Sequence, residues 1–252
     1  MPETTRNPAA QTAVAARSHA KHSPKPLFDS EGGQTPVGPR LALALIWVVI
    51  IPWFHYYLPP VNGRLKFNPY GMVFLTAQSC HIMCVYNIVL LIAAVFHLDG
   101  LAKFVSRHFR GLAFTLGMFI GIGYYALVHW SPLVRARAAE VPHFDTIMHL
   151  MHGLPPLIAL ADVYVHSRAG HKLLFRSHVY HCVGYAVFYL AWSVYCVQRN
   201  DGVWPYPFQN DFTHIAQHIA FNSFVFVALA GILRGGVALC DRVFTQVKHA
   251  QE

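Results

Sequence analysis

Asp145, His149 and His152 fall four and three residues apart, the spacing that sets side chains along one stripe of an α-helix. Imidazoles so placed can take up and return protons near neutral pH. They belong to the stretch Pro142 to His166, PHFDTIMHLMHGLPPLIALADVYVH, which also holds Asp162. That stretch is long and apolar enough to cross a bilayer, because a helix of about 20 residues spans roughly 30 Å of hydrocarbon. Ionisable side chains inside hydrocarbon are costly and face a bundle interior, a water-filled cavity or a partner. The stripe therefore predicts the wall of a polar site inside a membrane protein.

Composition points the same way. Of 252 residues, 55% are hydrophobic and only 12% charged, and the mean hydropathy is +0.37, the profile of a polytopic membrane protein. A formal net charge of +8 is then a topology signal. No basic run interleaved with aromatic residues accompanies it, so nucleic acid is not expected as a partner. Cys80, Cys84, Cys182, Cys196 and Cys240 all lie in or beside apolar segments, without the paired loop spacings of a disulfide framework or a zinc site, and are expected to be reduced and structural.

Six apolar segments can be read as spans: Leu41 to Leu58, Tyr70 to Leu98, Gly111 to Trp130, Pro142 to His166, His178 to Gln198 and Thr213 to Gly235. Breaks at Pro59-Pro60, Asp99-Gly100, Ser131-Pro132 and Arg199 to Gly202 separate them. The expected fold is all-α, a bundle of six transmembrane helices. Residues 1–40, rich in Ala, Ser, Pro, Gly and basic residues, are expected to be a disordered tail; 41–236 the membrane domain; and 237–252 a short tail. The first tail lacks the apolar core of a signal peptide, and Arg6, Arg17 and Lys21 leave a transit peptide open. Trp47, Trp53, Tyr56, Tyr57, Trp130 and Trp204 lie near span ends, where amphipathic rings favour the membrane interface.

Six spans place both termini on one side, and the lysines and arginines then divide 14 to 5 in favour of that side. The positive-inside rule makes it the cytoplasm. Spans two, four and six all enter from the opposite face. At 1.5 Å per residue Thr76 lies roughly 9 Å below the start of its span and His152 roughly 15 Å, so the two can meet in one leaflet. His81, His149, His214 and His218 lie in that half or near the midplane, and the loop Gly202 to Phe208, stiffened by prolines and aromatic rings, closes over it. A convergence of polar groups under such a loop is where a site is expected.

Phe74-Leu75-Thr76, His149-Leu150-Met151-His152, Asp162 ten residues later and the Trp204 to Phe208 loop follow one another in the order and spacing of a known group of proteins. The chain resembles the family of the androgen-induced protein and the androgen-dependent TFPI-regulating protein. These are multi-span membrane threonine hydrolases that cleave fatty acid esters of hydroxy fatty acids. The likeness covers roughly residues 70–235. It implies that Thr76 is the nucleophile and His152 the catalytic histidine. Met148 stands where the family often has Asn, and Ser79 where it has Asn or Asp.

The chemistry so implied is self-consistent. A threonine hydroxyl is a weak nucleophile and needs a base, which a neutral His152 would supply. Attack on an ester would give an acyl-threonine that water then hydrolyses, with an oxyanion to be stabilised by nearby donors. His149 and Ser79 are candidate donors, Asp145 could orient His149, and Trp204, Tyr206 and His218 are further candidates for support or substrate contact. No cofactor and no metal is required. The substrate would be a lipid ester entering from the bilayer, and the location endoplasmic reticulum or plasma membrane in a eukaryote.

Each residue also has a plainer reading. A threonine in a membrane helix commonly bonds the carbonyl one turn back, and His81, His181 and His218 could simply bridge helices. Asp162 could be solvated at the cytoplasmic end or pair with Arg168. Seventeen histidines also leave open a haem or di-iron oxidoreductase, with His214 and His218 four apart on one face. A scaffold or transporter without catalysis is the remaining alternative.

Overall fold

The computed structural model describes residues 37–61, 65–140, 142–168 and 172–249, and these are helical almost throughout. Helix α1 runs Val37–Val61, α2 Leu75–Val95, α3 Asp99–Gly123, α4 Pro132–Glu140, α5 Phe144–Arg168, α6 Phe175–Arg199 and α7 Ile215–His249. Short 3₁₀ turns at Pro69–Gly71 and Pro207–Asp211 precede α2 and α7, and a π-helical turn, Tyr124–Val128, prolongs α3.

The protein is an all-helical polytopic membrane bundle. Five of its helices, α1, α2, α3 with its π turn, α5 and α7, are long and apolar enough to cross a membrane. The expected count of six is one higher. The difference is α6, which is 25 residues long but carries Tyr180, Tyr185, Tyr189, Trp192 and Tyr195 together with His178 and His181. Three of these polar aromatics make inward contacts. Tyr185 donates to Gln78 Oε1 at 2.8 Å, Tyr189 to Val73 O at 3.2 Å and Trp192 Nε1 to Met72 O at 2.8 Å. The face of α6 that costs it hydropathy is the one that grips the start of α2.

Several helices run past the expected boundaries, while α2, Leu75–Val95, is shorter than the expected span at both ends. The first helix begins at Val37 and α3 at Asp99, while α7 continues to His249. Most of the expected tail, residues 1–36, lies outside the described residues, but residues 37–40 are helical and Arg40 is fully buried. Residues 99–110, between the second and third expected spans, are helix too and place Arg110 in the core. Trp47, expected at an interface, is 0% exposed. Sequence periodicity marks where a helix becomes apolar, and a helix with charged ends extends beyond that point.

At the centre, α3 packs against α2, α5, α6 and α7. Two glycines let it approach α5. A Cβ at Gly117 would sit 2.9 Å from Met83 Sδ and 3.1 Å from Pro155 O, and one at Gly121 would sit 2.7 Å from His152 O and closer still to Pro156 Cγ. Spaced four apart, they form the small-residue stripe along which membrane helices pack closely. Pro155 and Pro156 lie inside α5 and lack amide hydrogens, so the carbonyls of Met151 and His152 one turn earlier have no helical donor. Met151 O instead receives Cys80 Sγ at 3.8 Å.

Candidate active site

Thr76 is the second residue of α2, and the chain is held firmly before it gets there. Gly71 has φ 77° and Tyr70 φ 53°, so a left-handed turn feeds the extended residue Phe74, which opens the helix. Met72 O accepts Gln78 Nε2 at 2.6 Å as well as Trp192 Nε1, and Val73 O accepts Tyr189. Leu75 N–H donates to the Tyr206 hydroxyl at 3.0 Å. Side chains from α6 and from the loop before α7 thus fix the backbone that leads into the threonine.

His152 comes from the second turn of the apolar part of α5. Its Nε2 lies 3.1 Å from Thr76 Oγ1, and its Nδ1 lies 2.9 Å from Met148 O. A carbonyl can only accept, so Nδ1 carries the hydrogen and Nε2 presents its lone pair to the threonine hydroxyl, which donates. The ring is held flat by Tyr124, stacked at 4.0 Å with an interplanar angle of 15°. Tyr124 begins the π turn, where His129 N–H reaches back to Tyr124 O at 2.8 Å. Such turns recur beside functional groups, since the extra residue redirects the side chains around it.

Thr76 and His152 are each 8% exposed and both line a cavity of about 550 Å³, within the range of small-molecule sites. Its wall is largely apolar. Phe54, Val134, Phe144 and Met148 contribute from α1, α4 and α5, and Tyr185, Leu190, Val225 and Ile232 from α6 and α7. The loop before α7 adds Val203, Trp204, Tyr206 and Phe208. Asn210 pins that loop, accepting from Trp204 N at 2.8 Å and donating to Trp204 O at 3.2 Å and Tyr206 O at 3.4 Å. Burial raises the Tyr206 phenol above its ordinary range, so it is a neutral hydroxyl at physiological pH.

The other expected residues divide. Trp204 and Tyr206 are in the cavity wall. Ser79 is completely buried, and its hydroxyl has no partner among the described residues; it is not in the cavity wall. His149 is exposed and its Nδ1 meets the Tyr125 hydroxyl at 2.8 Å. Asp145 does not orient it, being exposed and paired with Arg135 at 3.3 Å. His218 stacks on Trp204 at 4.5 Å, behind the wall instead of in it. His214 is exposed. Among the described residues no group of three His, Cys, Asp or Glu side chains converges in a way that could hold a metal.

Asp162 departs most from expectation. It is not solvated, and the expected partner Arg168 has its side chain outside the described residues. It is 5% exposed and bonded by Arg40, with the Tyr86 hydroxyl at 3.1 Å and Arg110 Nε at 3.8 Å. His166, one turn on, lies 3.2 Å from the same carboxylate and is met by Arg40 and by Ser106 Oγ at 3.1 Å. Arg110 goes on to Val163 O at 3.4 Å and Cys240 Sγ at 3.1 Å. Five helices are tied in one buried cluster. Sequence reading missed Tyr124, Tyr185, Tyr189 and Trp192 as well. Three of these recur at i, i+4 and i+7 on α6, a spacing that a search for inward aromatic stripes would have found.

A family model described as FAR-17a/AIG1-like protein matches residues 41–239. No curated protein and no solved structure matches the chain.

Proposed function

The chain belongs to the FAR-17a/AIG1-like family, known to include hydrolases, and on that premise we propose that it is an intramembrane hydrolase of lipid esters. Fatty acid esters of hydroxy fatty acids are the substrate class the family resemblance implies. Thr76 is the nucleophile and His152 its base. The observation that carries this reading is the 3.1 Å approach of Thr76 Oγ1 to His152 Nε2, with the other ring nitrogen engaged by Met148 O, at the wall of an apolar cavity.

The reaction runs as follows. His152 Nε2 takes the Thr76 proton as Oγ1 attacks the ester carbonyl carbon, and the π electrons move to the carbonyl oxygen. Collapse of the tetrahedral species expels the alkoxide, which receives the proton from His152, leaving acyl-Thr76. Water, deprotonated by the same nitrogen, repeats the attack and releases the acid. The two groups of apolar lining residues suit a substrate with two hydrocarbon chains. Exposed lining residues Leu127 and Phe224 supply a way in from the bilayer. With the 25-residue α6 counted as a sixth crossing, the 14 to 5 distribution of basic residues supports cytoplasmic termini, with the Trp204 loop on the other face. Endoplasmic reticulum and plasma membrane both suit that orientation.

The test is covalent labelling by a fluorophosphonate probe, since an activated hydroxyl in an accessible cavity reacts and a helix-bonded one does not. Thr76→Ala should lose labelling and lipid-ester hydrolysis together while still inserting and melting as the parent does. Undiminished labelling and hydrolysis in Thr76→Ala would sink the proposal.

A further inference from the structure

The chemistry above leaves the negative charge on the carbonyl oxygen unaccounted for, and the start of α2 holds the donors for it. The hydrogen bonds formed at this turn are Leu75 N–H to Tyr206 Oη and Gln78 N–H to Phe74 O at 3.2 Å. The amides of Thr76 and Ala77, between them, have no hydrogen-bond partner among the described residues. Their usual acceptors are engaged elsewhere, because Met72 O and Val73 O already serve Gln78, Trp192 and Tyr189. Thr76 and Ala77 both line the cavity.

The Tyr206 hydroxyl completes the arrangement. Its oxygen accepts from the N–H of Leu75, the residue before Thr76, at 3.0 Å, and Tyr206 lines the same cavity as Thr76. Tyr189 spends its hydrogen on Val73 O, and Thr76 directs its own to His152. Among the described residues no acceptor takes up the Tyr206 hydroxyl hydrogen. Its position is rigid: the ring packs edge-on to Phe74 at 5.9 Å and stacks on Phe208 at 5.7 Å, and Asn210 clamps the backbone on both sides.

We propose that the Tyr206 hydroxyl is a catalytic hydrogen-bond donor to the oxyanion formed when Thr76 attacks the ester, sharing it with the amides of Thr76 and Ala77. This rests on the hydrolase reading above. As Oγ1 bonds to the carbonyl carbon and its proton passes to His152 Nε2, the electron pair displaced onto oxygen appears beside Thr76. There Tyr206 donates its hydroxyl hydrogen to the new anion. When the C–O bond to the leaving alkoxide breaks, the pair returns to the carbonyl and the Tyr206 hydrogen bond relaxes. Donors fixed before the charge develops need no reorganisation, which is why such groups count for much in a dry site. The positive end of the helix adds to them.

Full-length protein in lipid nanodiscs, assayed with a long-chain p-nitrophenyl ester, decides the matter. Tyr206→Phe should lower kcat about 10²-fold, the usual effect of losing one oxyanion donor, with KM and melting temperature near those of the parent. Replacement of Tyr206 by difluorotyrosine, which keeps the shape and makes the hydroxyl a stronger donor, should shift kcat and its pH profile. Parental kcat in both variants while Thr76→Ala is inactive overturns the donor role and leaves the hydrolase reading standing. A Tyr206→Phe loss confined to KM or to the folded fraction, with kcat unmoved by difluorotyrosine, makes Tyr206 a loop anchor and overturns it too. Activity in Thr76→Ala overturns both.

Discussion

His152 and Asp162 lie ten residues apart on α5, about 15 Å along its axis, and each is a buried ionisable group in a membrane helix. Their surroundings are opposites. Asp162 is met from every side: Arg40 from α1, Tyr86 from α2, Arg110 from α3 and His166 from its own helix. His152 has one nitrogen secured by Met148 O and the other aimed past a single hydroxyl into an open cavity. A buried charge that only holds helices together has its bonding capacity filled. On the proposed hydrolase reading, the neutral His152 ring keeps a lone pair directed at the cavity, and its rigidity comes from stacking on Tyr124 and from its second nitrogen.

The largest effect should come from breaking the filled cluster. Asp162→Ala leaves two buried guanidinium groups facing each other without their carboxylate, and uncompensated buried charge costs about 3–5 kcal/mol. The variant should lose most of its melting temperature in detergent, taking activity with it through the fold. A melting curve like the parent's would mean that Arg40 and Arg110 find other partners.

Breaking the open region should do the reverse. His152→Ala should lower turnover by roughly 10²- to 10⁴-fold, the range for a general base, with the melting temperature nearly unchanged. If that variant unfolds as Asp162→Ala does, the contrast between the two regions fails. A third substitution joins them. Gly121→Ala pushes a methyl against His152 O and Pro156, an overpacking cost of about 1–3 kcal/mol. Activity should fall more than stability, read from turnover per folded molecule, because the displaced backbone carries the base. The smallest effect belongs to the exposed face of α5. Asp145→Ala removes a surface ion pair worth less than about 1 kcal/mol, and His149→Ala should leave measurable turnover. A dead His149→Ala at parental expression would move the catalytic role up the helix to His149.

How much of this was legible in the sequence follows the same division. The expected leaflet for Thr76 and His152 came from counting rise per residue, and the two side chains do touch. That arithmetic works wherever helices are straight and run across the membrane. Span boundaries followed apolar runs, and so stopped short at Arg40 and Arg110, because a charged residue ends hydropathy without ending a helix. The partners of Asp162 are invisible for that reason: Arg40 lies 122 residues away, at the end of a stretch whose composition predicts a tail. The tyrosines of α6 carried no expectation of their own, yet Tyr185 and Tyr189 turn inward onto Gln78 and the residues that open α2. Asp145 and His149 share the stripe with His152, as their spacing requires, but the stripe passes from exposed to buried along its length. Periodicity gives the face of a helix and is silent on how far along that face the neighbours reach.

The π turn at Tyr124–Val128 has a bearing on how this chain can vary. It counts one residue more than the α-helical turn it replaces, and every side chain beyond it is therefore rotated by about 100° relative to an uninterrupted helix. Substitutions within Tyr124–Val128 leave that phase intact. Removal of a single residue there would not, and it would swing His129 and the whole approach to α4 to a different azimuth. Length, more than identity, is what this segment has to conserve.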